Sequence, residues 1–174
     1  MTGGTIDYSR AHDGSFTAPL TLFYPYARTV GPTYGRFLTS LRERRIEGTR
    51  LADGRVAVPP AEFDPDTGVP CTEWVEVGSE GTVVTWAWQP EPVDGNPMSS
   101  AFAWALVLLD GADVPMLHAV DVDGPADLAT GDRVRVRWAE ERSGSITDIA
   151  CFEPLGSTTG TGPGGSIGTD GAGS

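Results

Sequence analysis

Residues 48–70 read GTRLADGRVAVPPAEFDPDTGVP. Two clusters within this stretch, 52–55 and 64–68, contain the Asp, Gly and Pro residues that favour tight turns. Between the clusters, residues 55–58 have the pattern of a short strand, which runs directly into Pro59 and Pro60. The stretch therefore predicts a small β unit in which a tight turn lies on each side of one strand.

This layout is that of a zinc ribbon, in which two turns, called knuckles, hold a structural zinc ion. Such a site needs four Cys or His ligands in two closely spaced pairs. The knuckle positions of this chain hold Leu51, Asp53, Asp64 and Thr67 instead, and no cysteine lies between residues 1 and 70. We therefore predict that residues 48–72 form a degenerate zinc-ribbon-like segment, without metal, that serves through its shape or its contacts.

The composition limits the classes of function. The chain has 174 residues, a net charge of −12 and 12 cationic side chains, all of them arginine. A strongly acidic surface repels phosphate backbones, which argues against nucleic-acid binding. Cys71 and Cys151 are too few for a disulfide scaffold, so we expect reduced thiols. No apolar run approaches the roughly 20 residues that span a bilayer, and no signal peptide is evident, so we expect a cytoplasmic protein without membrane contact.

The N-terminal part of the chain predicts one helix. Residues 1–19 form a polar leader, and 20–47 combine an extended aromatic segment with the helix. Pro32 suits the first helical turn, and Gly48 is predicted to end the helix. One face of it is apolar at helical spacing. That face consists of Tyr34, Phe37, Leu38 and Leu41.

Residues 73–155 have the pattern of short β-strands. They are predicted at residues 73–77, 81–89, 102–109, 116–122, 133–139 and 145–152, with one helical turn at 126–129. Five or six strands with short turns favour a small closed barrel of the OB type, although the pattern also permits a sandwich. Residues 156–174, rich in Gly, Ser and Thr, predict a disordered tail.

The sequence contains no catalytic constellation that we recognise. His118 is interpreted either as a barrel-wall residue with a satisfied hydrogen bond or as a polar group at a ligand or partner surface. Arg133, Arg135 and Arg137 share one strand face. They could meet the phosphates of coenzyme A, or form an exposed face paired with nearby carboxylates. Those carboxylates would be Asp132, Glu140 and Glu141.

Aromatic residues suggest two surfaces for a partner. Tyr24, Tyr26 and Phe37 supply more large apolar surface than a short helix needs, and Tyr and Arg are enriched at interface hot spots. Trp86 and Trp88 point to one face before the long loop 89–100, which offers a second candidate surface on the barrel.

Several pieces of the sequence, in this order and spacing, resemble one known family. They are GPTYGRFLTSL at 31–41, GTR at 48–50, RVAVPP at 55–60, EWVEV at 73–77, GTVVTW at 81–86 and CFEP at 151–154. Together they resemble the acyl-CoA-associated OB-fold family, domain-of-unknown-function family thirty-five. Its members carry an N-terminal helix, a rubredoxin-like zinc ribbon and an OB barrel. The resemblance decides for the barrel over the sandwich, while Asp64 and Thr67 replace the family's second Cys-x-x-Cys pair.

The predicted fold is α+β and mainly β: an N-terminal helix, the degenerate ribbon segment and an OB-type barrel of five to six strands. The family resemblance implies a non-catalytic accessory subunit of a thiolase-like, sterol-carrier-type enzyme, a thiolase or aldolase of lipid or steroid side-chain degradation. Acyl-CoA would be the substrate of this hetero-oligomer, and the chain itself would bind no cofactor. A stand-alone acyl-CoA-binding module and, more weakly, an OB-fold nucleic-acid binder are the alternatives.

Two groups of candidate site residues follow from these interpretations. The partner-binding candidates are Tyr24, Tyr26, Arg28, Tyr34, Phe37, Trp86 and Trp88. The ligand-binding candidates are Arg133, Arg135, Arg137 and His118.

Overall fold

The computed structural model of the chain describes residues 9–10, 13–17 and 29–156. Most of the predicted leader and all but the first residue of the predicted tail lie outside these described residues. So do three of the partner-binding candidates, Tyr24, Tyr26 and Arg28. The described part of the leader holds two short antiparallel strands, β1 (Ser9–Arg10) and β2 (Phe16–Thr17).

Helix α1 (Gly31–Arg42) has Pro32 in its first turn, as predicted. It ends earlier than the sequence suggested, because Arg44 adopts a positive φ of 59° and turns the chain back. The N–H groups of Glu43 and Arg44 donate to the last-turn carbonyls of Ser40 and Leu41. The prediction that Gly48 ends the helix is therefore wrong. Within the described residues, no helix has the length and apolar character that crossing a membrane requires.

The ribbon segment forms a three-stranded antiparallel sheet. Its strands are β3 (Ile46–Arg50), β4 (Val56–Ala57) and β5 (Trp74–Val77), with β3 in the middle. Strand β5 was predicted as part of the barrel, but it pairs with β3 in this sheet instead. Val56 and Val58 are buried, whereas Phe63 is 54% exposed and contributes little to the core of the ribbon.

Five strands close into a barrel in the order β10-β8-β7-β6-β9. They are β6 (Glu80–Gln89), β7 (Phe102–Leu109), β8 (Met116–Val120), β9 (Arg133–Trp138) and β10 (Ile149–Pro154). Closure depends on one short parallel contact, Phe152 opposite Val120, while the other neighbours are antiparallel. This architecture confirms the predicted OB-type barrel and excludes the sandwich.

One buried cluster joins the helix, the ribbon and the barrel. Phe37 and Leu41 of α1 belong to the same apolar core as Ile46 of β3, Val107 of β7 and Phe152 of β10. Along β7 the side chains at 103, 105, 107 and 109 face this core, whereas Phe102 and Trp104 on the other face belong to a second apolar cluster. The helix and the ribbon are therefore packed on the barrel and are not separate appendages.

Gly48 lies in mid-strand because the neighbouring strand approaches too closely for a side chain. A Cβ atom there would lie 2.4 Å from the carbonyl oxygen of Ala57 and 2.7 Å from Cγ2 of Val58. We predict that Gly48→Ala forces β3 and β4 apart and lowers the free energy of unfolding in urea by about 1–3 kcal/mol. Gly35→Ala in α1 is the control, because its nearest neighbour is Cγ2 of Val30 at 3.9 Å. That variant should be neutral or more stable by up to about 1 kcal/mol, and equal losses in the two variants would contradict the interpretation.

Candidate functional site

The two turns of the ribbon are joined by one buried carboxylate. Asp64 is only 4% exposed, and its Oδ2 accepts the backbone N–H of Ala52 in the first turn at 2.9 Å. Its Oδ1 accepts the backbone N–H and the hydroxyl of Thr67, both at 2.8 Å, and the N–H of Asp66 at 3.1 Å. Hydrogen bonds from Ala52 and then Thr67 are the main causes that lower the pKa of Asp64 to about 2. Asp64 thus connects the knuckles at the place where a zinc ribbon has its metal.

The residues at the knuckle positions do not fit a zinc ion. Leu51 has no donor atom and is buried, and the hydroxyl of Thr67 is used by Asp64. Both carboxylate oxygens of Asp53 are held by Arg55, through its N–H at 3.0 Å and its Nε at 2.5 Å. In the part of the chain that the structure describes, no cluster of three or more Cys, His, Asp or Glu side chains could hold a metal. Cys71, nearby, is a free thiol whose pKa is raised by burial.

A second buried carboxylate fixes α1 on the ribbon. The carboxylate of Glu47 in β3 accepts hydrogen bonds from Nη2 of Arg36 at 2.7 Å and from Nε of Arg36 at 3.2 Å. It also accepts a hydrogen bond from the hydroxyl of Ser40. The hydrogen bonds from Arg36 are the largest cause that lowers the pKa of Glu47. The same guanidinium lies 4.2 Å above the ring of Trp74 in β5. These contacts hold the helix rigidly against the sheet.

The partner-binding candidates on the helix separate into two kinds. Phe37 is 1% exposed and belongs to the core, so its prediction as an interface residue is wrong. Periodicity identified the apolar face of α1 but could not distinguish the part that the barrel covers. Tyr34, one turn earlier, is 46% exposed, and Val30 beside it is also exposed. Within the described part of the chain, the start of α1 therefore presents an exposed tyrosine on a rigid element.

Trp86 and Trp88 are half-buried and pack against the barrel core. They lie opposite Ala105 and Ala103 of β7, whose small side chains leave space for the indole rings. Their common face is thus the inner face of the sheet, and only part of each ring is accessible to a partner.

The arginine face of β9 is neutralised by carboxylates from β10 and from the residues that follow β7 and β8. Arg133 binds Asp110 through two bonds of 2.7 and 2.6 Å, Arg135 binds Glu153 at 2.7 Å, and Arg137 binds Asp121 at 2.7 Å. The predicted pairing with Asp132, Glu140 and Glu141 is wrong. Those residues are near in sequence, whereas the antiparallel register places Glu153 directly opposite Arg135. Because each guanidinium already has an anionic partner, this face offers little free positive charge to coenzyme A phosphates.

His118 is buried inside the barrel wall, only 7% exposed, with its ring 5.7 Å from that of Phe152. Burial lowers the pKa of the imidazole, and the backbone of Ala119 and Ile146 offsets only part of that lowering. Among the described residues, no atom meets hydrogen-bond geometry at Nδ1. His118 is thus a buried residue of the barrel wall, as one of the two interpretations predicted.

Sequence reasoning did not identify the roles of Asp64 and Glu47. Asp64 was predicted as a turn residue and as a replaced metal ligand but not as the carboxylate that joins the two turns, although the spacing Asp64-x-x-Thr67 is a local signal for side-chain capping of a turn. Glu47 had no such signal, because its partners come from the preceding helix and are set by tertiary packing.

The geometry defines an OB-fold protein with a preceding helix and a ribbon that is closed without metal ligands. Residues 74–139 match the sequence model of the family described as ChsH2, C-terminal OB-fold domain. No curated protein matches the chain. Over residues 74–139 the chain is similar to this OB-fold family.

Two solved structures share the fold. One is described as Ltp2-ChsH2(DUF35) aldolase; it is 18% identical, with a TM-score of 0.55 over 74% of this chain and 98% of that chain. The other is a protein of unknown function from the DUF35 family of Sulfolobus solfataricus. It is also 18% identical, with a TM-score of 0.53 over 72% of this chain and 83% of that chain.

The Asp64 carboxylate predicts a specific pH dependence of stability. Its pKa of about 2 lies below the ordinary value of 3.8, so its contribution is complete above about pH 4 and is lost as the pH falls toward 2. We expect Asp64→Asn to lower the Tm clearly at pH 7, and the difference from the wild type to shrink between pH 4 and 2. Asp66→Asn, at an exposed neighbouring carboxyl, is the control and should unfold like the wild type. A Tm difference that does not depend on pH would contradict the role of the carboxylate.

We also predict that the purified protein contains no stoichiometric zinc, because its knuckle side chains are committed to other contacts. Elemental analysis should find far less than one zinc per chain, and prolonged treatment with EDTA should leave the Tm unchanged. About one zinc per chain, or unfolding by the chelator, would refute the assignment.

Proposed function

We propose that this chain is a non-catalytic accessory subunit of a thiolase-like enzyme, a thiolase or an aldolase, that acts on acyl-CoA thioesters. The observation that carries the proposal is the likeness of the fold to 98% of a chain in the Ltp2-ChsH2(DUF35) aldolase structure. The chemistry would be performed by the partner, and acyl-CoA would be a substrate of the complex. Lipid or steroid side-chain degradation is the setting that the family resemblance implies.

The start of α1 is the surface that we assign to the partner. Tyr34 lies in the first turns of α1 and Val30 immediately precedes the helix, and both are exposed. The helix below them is fixed by Phe37 and Leu41 in the core and by the bond of Arg36 to Glu47. A tyrosine on a rigid element loses little side-chain entropy when it is buried at an interface, which favours it as an anchor.

The two alternatives have less support in the geometry. A stand-alone acyl-CoA module would use Arg133, Arg135 and Arg137 for phosphate, but their guanidinium groups are paired with carboxylates. A nucleic-acid binder would need free positive charge along a groove, and the net charge of −12 opposes this.

The test is co-expression of the tagged chain with thiolase-like enzymes of the same organism, followed by co-purification and a measurement of thiolytic or retro-aldol activity. We expect one enzyme to co-purify and to be less active or less soluble without this chain. Tyr34→Asp should abolish co-purification while the Tm of the isolated chain remains unchanged, because Tyr34 is not in the core. Phe37→Ala should instead lower the stability by about 3–5 kcal/mol as a core truncation.

The control is Val93→Asp, an equally drastic change at an exposed position of the loop between β6 and β7. It should leave co-purification intact. If Val93→Asp abolished the complex and Tyr34→Asp did not, the interface would lie on the barrel near Trp86 and not at the start of α1. If the chain binds none of the thiolase-like enzymes and does not alter their activity, the proposed function is refuted.

A further inference from the structure

The ribbon contains a short β-hairpin, residues 62–71, that follows β4 and precedes β5. Two backbone hydrogen bonds of 2.8 and 2.9 Å close this hairpin on either side of a bridge between Phe63 and Pro70. Residues that lie directly opposite each other in an antiparallel pair project from the same face. Phe63 and Pro70 are both exposed, so they form an apolar pair at the surface, which we call the Phe63 face.

Polar contacts fix the hairpin at its base and at its tip. At the base, the buried hydroxyl of Thr49 in β3 accepts the N–H of Ala61 and donates to the carbonyl oxygen of the same residue, both at 2.9 Å. At the tip, the buried carboxylate of Asp64 accepts N–H groups from Ala52 and Thr67. The Phe63 face is therefore preorganised, and covering it with a partner costs little conformational entropy.

The fold itself makes little use of the Phe63 side chain. It is 54% exposed and lies outside the two apolar clusters of the described residues. A large aromatic side chain held rigidly in water is unfavourable for the isolated chain, whereas aromatic residues are enriched at the centres of protein interfaces. Phe63 is thus better suited to contact another molecule than to stabilise the ribbon.

The hairpin is also acidic. Residues 62–71 include three carboxylates and no cationic side chain. The carboxylate of Asp64 is buried in the turns, but Glu62 and Asp66 are exposed. Arg55 approaches Asp66 only to 4.0 Å, and its Nε binds Asp53 at 2.5 Å. The Phe63 face therefore has two carboxylates beside it whose charge is largely available to a partner.

This charge determines which molecule can cover the Phe63 face. In a symmetric contact, a second copy of the chain would bring its own carboxylates toward these. The phosphates of nucleic acids and of anionic lipids would be repelled in the same way. A protein surface with basic side chains around an apolar pocket complements both features, because the charges accelerate association and the apolar contact provides affinity.

We propose that the Phe63 face is a docking surface for the thiolase-like partner, and that it fits an apolar pocket on that protein with Arg or Lys side chains at its rim. The inference rests on the proposed function, because its occupant is the enzyme of the same complex. It adds a second contact to that of Tyr34 at the start of α1. It also gives the ribbon without metal ligands a role, since the ribbon holds the Phe63 face in place.

The test uses the complex of the full, tagged chain with the co-purifying enzyme, immobilised through the tag. Dissociation and re-association of the enzyme are followed by surface plasmon resonance at low and at high salt. Phe63→Ala should raise the Kd at least about tenfold, while the Tm of the isolated chain stays close to that of the wild type. Val93→Ala, at a 66% exposed position of the loop between β6 and β7, is the matched control and should leave the Kd unchanged.

A second pair of variants tests the basic rim. Glu62→Gln combined with Asp66→Asn should slow association at low salt at least about threefold and reduce its dependence on salt, with little effect on dissociation. Glu91→Gln combined with Asp94→Asn removes the same charge from the exposed loop between β6 and β7, and it should change neither rate. These variants leave Phe63 in place, so they keep the test decisive even if Phe63→Ala fails to fold.

The outcomes separate this inference from the proposed function. If the wild-type complex forms but Phe63→Ala binds with unchanged Kd, or the two charge pairs affect association equally, this docking surface is refuted and the accessory role stands. If the isolated chain forms a dimer in sedimentation that Phe63→Ala abolishes, the surface belongs to a second copy and the proposal is overturned. If no thiolase-like enzyme binds the wild type, both proposals fail together.

Discussion

Strand β3 contacts helix α1 on one side and pairs with β5, the strand that precedes the barrel. The packing of these elements depends on the buried carboxylate of Glu47 in β3. A carboxylate in such a place is tolerated only if cations and hydroxyls replace its water. Arg36, Ser40 and Arg45 supply them from α1 and from the turn that follows it. Arg36 also covers Trp74 in β5, so one guanidinium connects three elements. If Arg36 were removed, Glu47 would remain buried with most of its compensation lost, and the helix would lose its fixed position.

The ribbon also depends on a buried carboxylate, because it has only a small apolar core of its own. A zinc ion would join two knuckles with four strong bonds, and its ligands would need no apolar support. Asp64 replaces this with hydrogen bonds of moderate strength, whose sum depends on the carboxylate being ionised. The ribbon therefore also relies on Val56 and Val58, which enter the common core. Packing on the barrel therefore helps to order this ribbon, whereas a zinc ribbon can be ordered by its ion alone.

The local sequence pattern was sufficient to predict most helices and strands, but not which residues contact each other across them. Alternation in residues 133–139 predicted both the strand and its arginine face, because side-chain period follows from backbone geometry. It could not identify Asp110, Asp121 and Glu153 as the paired carboxylates, since strand register is a property of the closed barrel. Likewise, Gly48 was predicted to end the helix. Its actual role depends on the close approach of Ala57 in the neighbouring strand, which a local pattern cannot reveal. Helical spacing predicted the apolar face of α1. It could not show that Phe37 is buried and Tyr34 is exposed, because this depends on which part of the helix packs against the barrel.

The distribution of charge links these observations to association. Most arginines of the described residues are used within the chain, in ion pairs such as those of Arg36, Arg50, Arg55 and Arg133. The carboxylates in excess therefore determine the outer field of the protein, with a net charge of −12. Two copies of such a chain repel each other at long range, while a partner with neutral or basic contact surface does not. An exposed tyrosine on a rigid helix of a strongly acidic chain thus favours a contact with a different protein over self-association, since apolar burial can provide the affinity and the net charge of the chain opposes the approach of a second copy.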